Sequence, residues 1–283
     1  MQNASPLAAT PVHDIVAQLR TTLASGAYAG RLATIHRYYN NLKSEGRYRD
    51  ALLELFNQSG QAGQRGWRAY AEADKVDLVV TQPGMGRDGW VKVELKYQFI
   101  FDLASRVSTT LGRLKRGPDD LPVRQQLQSL PKCDLKRIAF DCIGADTDAS
   151  SGLCDVFVLI VQDRFGAAHP DAVRSRAGHA KSRPWKCPEL DERGVRLQFL
   201  REQAELDALH DRASYDKAWT DPTRDMLQLI HEIRPFNLQV VARKMADDAG
   251  PFPLTSYIFT LDFTAPRAMP ADAAAFLQMM RAA

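Results

Sequence analysis

Apolar and polar positions change period several times along the chain, and the changes mark out its elements. Val12, Ile15, Val16, Leu19 and Leu23 recur at helical spacing from Pro11 onward. After a break at Gly26 to Gly30, Leu32, Ile35, Tyr39 and Leu42 do the same, which predicts an N-terminal helical pair. A third helix is expected over roughly Gly46 to Ser59, where Leu52, Leu53, Leu55 and Phe56 form one stripe. Strand-like runs follow at Trp67 to Glu72, at VDLVV from Val76, and at Trp90 to Gln98. In the last, Val91, Val93, Leu95 and Tyr97 alternate with Trp90, Lys92, Glu94, Lys96 and Gln98, the period of a strand with one buried face. The link PGMGRDG carries the proline and glycines that let two antiparallel strands meet.

Helical spacing returns over Asp102 to Arg116, which closes on Gly117-Pro118, and over Cys133 to Ile143 with Asp134 as the expected cap. The run CDVFVLIVQ, from Cys154 to Gln162, is too continuously apolar for an edge and predicts a buried central strand. Residues 164 to 195 show no regular pattern. Helices near Val195 to Asp207 and Pro222 to Ile233 precede two further strands, Asn237 to Lys244 and Thr255 to Phe263, expected to extend the same sheet. The fold class is therefore α/β, a mixed central sheet flanked by helices. A core over residues 44–163 carries an N-terminal helical extension (1–43) and a C-terminal α+β part (164–283) of basic connector, helices and strands.

Composition changes this picture little. Of 283 residues, 45% are hydrophobic and 25% charged, as in an ordinary globular chain, and the formal net charge of +3 permits polyanion binding without demanding it. No apolar run is long enough to span a membrane, and the first residues lack a basic-then-apolar leader, so a cytoplasmic protein with no membrane partner is expected. Four cysteines, at 133, 142, 154 and 187, fit no zinc spacing and read as buried thiols.

The candidate chemistry lies on the hairpin. Glu94 and Lys96 project from one face of their strand, and Asp77 interrupts an apolar run that a hairpin sets beside Glu94. Two such carboxylates repel unless a cation lies between them, and hard oxygen ligands suit magnesium. A neighbouring lysine could then orient or deprotonate the attacking water. Asp77, sixteen residues (78 to 93), then Glu94-Leu95-Lys96 resembles the catalytic signature of the PD-(D/E)XK nucleases, the restriction-endonuclease-like superfamily, with Val76 where the signature's name has proline. The order helix, three strands, helix, strand is also similar to that superfamily's core.

The resemblance implies an endonuclease that hydrolyses phosphodiester bonds in double-stranded DNA. It implies magnesium, or manganese in its place, held by Asp77, Glu94 and the Leu95 carbonyl, and a homodimer is compatible with it. An acid on the third helix, Asp50 by position or Glu54 by residue type, would assist. Expected nucleic-acid contacts are Gln98 beyond the signature, the helix-end cluster Arg113, Lys115 and Arg116, and Arg174, Arg176, Lys181 and Arg183 around Trp185 in the connector. Other readings of the residues are a catalytically silent nucleic-acid or protein-binding module of the same fold, and an antibacterial nuclease toxin or effector.

Overall fold

Alternation in the strand runs builds one six-stranded sheet, seen in a computed structural model that describes residues 12–39, 45–114, 121–144, 153–163, 211–244, 255–270 and 272–282. Its strands are β1 (Arg68–Ala71), β2 (Leu78–Thr81), β3 (Val91–Phe99), β4 (Val156–Asp163), β5 (Asn237–Lys244) and β6 (Thr255–Asp262). Their spatial order is β1-β2-β3-β4-β6-β5. β1, β2 and β3 form an antiparallel meander, β4 runs parallel to β3, and β6 and β5 continue antiparallel beyond β4. The uninterrupted apolar run becomes β4, a central strand with all eight residues buried, as expected for a strand covered on both faces. The C-terminal strands join the same sheet.

Nine α-helices are described: α1 (Val12–Leu23), α2 (Gly26–Tyr39), α3 (Glu45–Gln58), α4 (Gly60–Arg65), α5 (Ser108–Leu114), α6 (Val123–Ser129), α7 (Asp134–Ile143), α8 (Arg212–Ile233) and α9 (Ala273–Ala282). A widened π-type turn, Asp102–Val107, leads into α5. One apolar core joins α1, α2 and α3 to Leu78, Val80, Val91, Val93, Leu95 and Val158 on one sheet face. A second joins α5, α7, α8 and α9 to Phe157, Leu159, Val161, Phe259 and Leu261 on the other. The crossover from β3 to β4 passes through α5, α6 and α7, which cover that second face.

Several boundaries differ from the sequence expectation for identifiable reasons. No break separates Gly26 from Gly30: the Ser25 hydroxyl accepts the Tyr28 N–H at 3.1 Å, which starts α2 at Gly26 and leaves both glycines helical. Cys133, not Asp134, occupies the cap of α7, and its side chain makes no capping bond. Pro222 does not start its helix. α8 begins at Arg212, where Asp211 accepts the Ser214 N–H at 2.8 Å, and Pro222 sits inside it. The helix continues past a residue with no N–H, and Thr223 donates its hydroxyl to the Trp219 carbonyl at 2.6 Å in the same turn. The expected helix over Val195 to Asp207 lies outside the described residues.

Candidate functional site

β3 has the clearest alternation in the chain, and this alternation builds the candidate site. Val91, Val93, Leu95 and Tyr97 are buried in the core beneath α1–α3, so Lys92, Glu94 and Lys96 must emerge on the opposite face. β2 pairs with β3 with Leu78 opposite Val93. One step further along that register brings Asp77, just before β2, opposite Glu94. Asp77 is anchored there because its Oδ2 accepts the Leu95 N–H at 2.8 Å.

Lys96 is the centre of the charges. Its Nζ donates to Glu94 Oε1 at 2.6 Å and forms ion pairs with Asp141 Oδ2 at 3.5 Å and Glu45 Oε2 at 3.8 Å. The Lys96 and Glu94 side chains are 12% and 15% exposed, so water screens the pair far less than it would at a free surface. Glu45 is the first residue of α3, and its Oε1 also accepts the Tyr97 N–H at 3.5 Å. Asp141 comes from α7, whose buried Ile138 and Cys142 dock that helix on the sheet and fix the direction of the acid between them. Side chains from α3, the start of β2, β3 and α7 thus converge. Four carboxylates (Glu45, Asp77, Glu94, Asp141) meet one ammonium, a formal excess of three negative charges.

That excess shapes the ionisation of the site. Burial pushes the Glu94 carboxyl above the usual range; Lys96 opposes the shift, and Asp77 and Asp141 add to it. Burial raises Asp141 likewise, against the pull of Lys96 and Arg137. Burial alone would lower Lys96, but Asp141, Glu94 and Glu45 outweigh it and hold the amine above the ordinary lysine range. In this arrangement Lys96 is an ammonium, suited to donating hydrogen bonds and not to taking a proton. Among the described residues, no group of three or more His, Cys, Asp or Glu side chains is positioned to hold a metal ion as it stands. The Lys96 ammonium stands among the acids.

The expected site residues fare differently. Asp77, Glu94 and Lys96 come together, with Leu95 between the last two and its side chain buried. The helix acids do not join them. Asp50 pairs with Arg49 at 2.9 Å and Glu54 with Arg31 at 2.9 Å, both about half exposed and away from Lys96. The acid that α3 brings to Lys96 is Glu45. The sequence pattern starts the helix at Gly46, one residue too late, and so passes over Glu45; the signal for it is an acid in the first turn, where the helix dipole favours one. Asp141 had no signal beyond its place on an amphipathic helix.

Gln98 is fully buried and cannot touch a substrate where it stands. Arg113 is exposed on α5. Lys115, Arg116, Arg174, Arg176, Lys181 and Arg183 lie outside the described residues, as do Trp185 and Cys187. Cys133, Cys142 and Cys154 are free thiols, the last two buried. No helix among the described residues is long and apolar enough to cross a membrane. No protein-family model, curated protein or solved structure matches this chain.

Proposed function

We propose that this chain is a metal-dependent nuclease of the PD-(D/E)XK type, hydrolysing phosphodiester bonds in DNA. The observation that carries the proposal is the convergence of Asp77, Glu94 and Lys96 with the α3 acid Glu45, in a site whose carboxylates outnumber its cations. The meander β1–β3 after α3 and α4, the helical crossover and the parallel strand β4 agree with the order of that superfamily's core.

The donor set fits magnesium in kind: carboxylate oxygens are the hard ligands it prefers, and uncompensated negative charge is what a divalent ion relieves. Asp77, Glu94 and the Leu95 carbonyl would hold it, with Glu45 assisting. Bound there, it would supply Lewis-acid stabilisation of the charge that develops on the phosphate.

The chain's own groups do the rest. The Lys96 ammonium donates hydrogen bonds that orient the attacking water or steady a phosphate oxygen, and Glu94, Asp141 and Glu45 keep it charged and aimed. Asp77 is held by the Leu95 amide, so its free oxygen keeps one direction. A silent binding module of the same fold is disfavoured, since buried carboxylates in excess destabilise a fold that gains nothing from them.

Separating two residues tests the assignment. Asp77→Ala should weaken magnesium or manganese binding in calorimetric titration, because a ligand is lost. Lys96→Ala should keep or improve metal affinity, since an ammonium beside a divalent ion opposes it, and still cleave on the order of a hundredfold more slowly in single turnover. Lys96→Ala at the wild-type rate, or losing metal as Asp77→Ala does, would contradict these roles.

A further inference from the structure

The face of β1–β3 that carries Glu94 and Lys96 is built differently from the rest of the sheet. On β4 and β6 the same face is covered by helices, and Phe157, Leu159, Phe259 and Leu261 belong to the core there. On β1–β3 the central apolar side chain, Val79, belongs to neither core, yet it is only 2% exposed, so no helix-borne core covers it and the longer side chains of its own face do. The register sets rows of side chains across this part: Arg68 beside Thr81, then Tyr70 beside Val79 beside Lys92. The next row along the same register holds Asp77 and Glu94. Trp90 extends β3 by one residue in extended backbone, so it shares the face of Lys92.

The exposed groups on this face have a particular chemistry. Tyr70 is 50% exposed, one of only two exposed large hydrophobics among the described residues. The exposed Arg87 guanidinium lies 5.6 Å from the centroid of the half-buried Trp90 ring, a cation–π pair. Arg68 is exposed beside them. At strand spacing, Tyr70 stands about 7 Å along the sheet from the Asp77–Glu94 row, and Trp90 about 13 Å. Within an intact duplex the faces of the bases are covered by their neighbours, so an open tyrosine ring and a capped indole find nothing to stack on. An unstacked strand offers both base faces and phosphates.

We propose that the exposed side chains on this face of β1–β3 form a stacking platform for single-stranded DNA, on which Tyr70 and the Arg87–Trp90 pair hold unstacked bases and lead the strand to Asp77 and Glu94. This deepens, and rests on, the nuclease reading of that site. Single-stranded substrate, or duplex ends and junctions with splayed strands, is then the preferred class. Lys92 plays a supporting part, because Asp74 already neutralises it at 2.6 Å.

Fluorescence anisotropy with a labelled single-stranded oligonucleotide of mixed sequence, and with its duplex, tests the platform. The full chain carries Glu94→Gln so that no cleavage intervenes, with magnesium present. The single strand should bind at least about tenfold tighter than the duplex. Adding Tyr70→Ala should weaken single-strand binding about five- to 150-fold, the loss expected for one stacked base, with duplex binding and thermal stability unchanged. Tyr70→Phe should retain the affinity, because the ring and not the hydroxyl does the stacking. Unchanged single-strand binding by Tyr70→Ala, or equal loss in Tyr70→Phe, would overturn the platform. If the Tyr70 effect fails while wild type still cuts DNA in a Glu94-dependent way, the platform falls and the nuclease reading stands. If wild type cuts no DNA but binds single strands through Tyr70, the platform stands and the nuclease reading falls.

Discussion

Asp141 Oδ2 lies 3.5 Å from Lys96 Nζ, so the crossover helix α7 helps to set the charge on a residue of the hairpin's second strand. Asp141 touches no expected ligand position and acts through Lys96. Asp141→Asn should lower the single-turnover cleavage rate about 10- to 100-fold, the usual cost of losing a supporting partner, with KM and magnesium affinity changed much less. Asp141→Glu should restore part of the rate. A wild-type rate in Asp141→Asn would reduce this ion pair to a structural contact.

α3 offers three acids, and the geometry selects one. Glu45→Gln should slow cleavage by on the order of a hundredfold, whereas Asp50→Asn and Glu54→Gln should stay within about threefold of wild type. Glu54→Gln should also leave stability within about 1 kcal/mol, because its pair with Arg31 is exposed on both sides. Chemical denaturation and single-turnover assays on the three variants check both statements. Loss of activity in Asp50→Asn with Glu45→Gln unaffected would reverse the choice.

The contrast between these acids shows which parts of the site were legible. The period of two in Trp90 to Gln98 placed Glu94 and Lys96 on one face, and the turn chemistry placed Asp77 opposite, because strand alternation and hairpin pairing are local. Glu45 and Asp141 reach Lys96 only through tertiary packing of α3 and α7, and no spacing in the chain encodes that. Elsewhere, Pro222 reads locally as a helix start, yet α8 buries Tyr215 and Trp219 upstream of it, and that burial carries the helix through the proline. The short α6 has one fully buried residue, Leu127, too little for a periodic signal. The alanine-rich end becomes α9 because Phe276 and Met280 anchor it in the core.

The turn that launches Asp77 is strained. Glu72, Asp74 and Lys75 all have positive φ, at 52°, 53° and 66°, a left-handed conformation that costs a side chain roughly 1–2 kcal/mol each. Lys75 is exposed, so Lys75→Gly should relieve its share, less the entropy glycine loses on folding. The expected result is a gain of up to about 1 kcal/mol and a melting temperature raised by about 2 °C. A drop in stability would show that the Lys75 side chain has a role the turn geometry does not reveal.

Asp155, just before β4, ties that strand to the start of β3 and the end of β6. Its Oδ2 accepts the Lys92 N–H at 2.8 Å, its own N–H donates to the Lys92 carbonyl at 2.7 Å, and its carbonyl accepts the Phe263 N–H at 3.0 Å. Burial nevertheless raises its pKa, against the Lys92 amide, Arg234 and the Lys92 charge. A carboxyl whose folded pKa exceeds its unfolded one is bound to more protons in the folded state, so its contribution grows as pH falls from neutrality through the folded pKa toward the unfolded one. Asp155→Asn keeps the acceptor and removes the charge. The variant should match or exceed wild-type stability at pH 7, and its advantage should shrink as pH is lowered toward 4, the ordinary aspartate range. Denaturation curves over that range check the sign; an advantage that widens on acidification would refute it.

A plasmid assay tests most directly whether Glu94 belongs to a metal-dependent hydrolytic centre, as proposed. Wild-type protein should nick or linearise supercoiled plasmid with magnesium or manganese and stop in chelator, and Glu94→Ala should be inactive while its circular dichroism spectrum and cooperative unfolding are retained. Equal cleavage by wild type and Glu94→Ala, or cleavage by wild type that persists undiminished in chelator, would contradict the account.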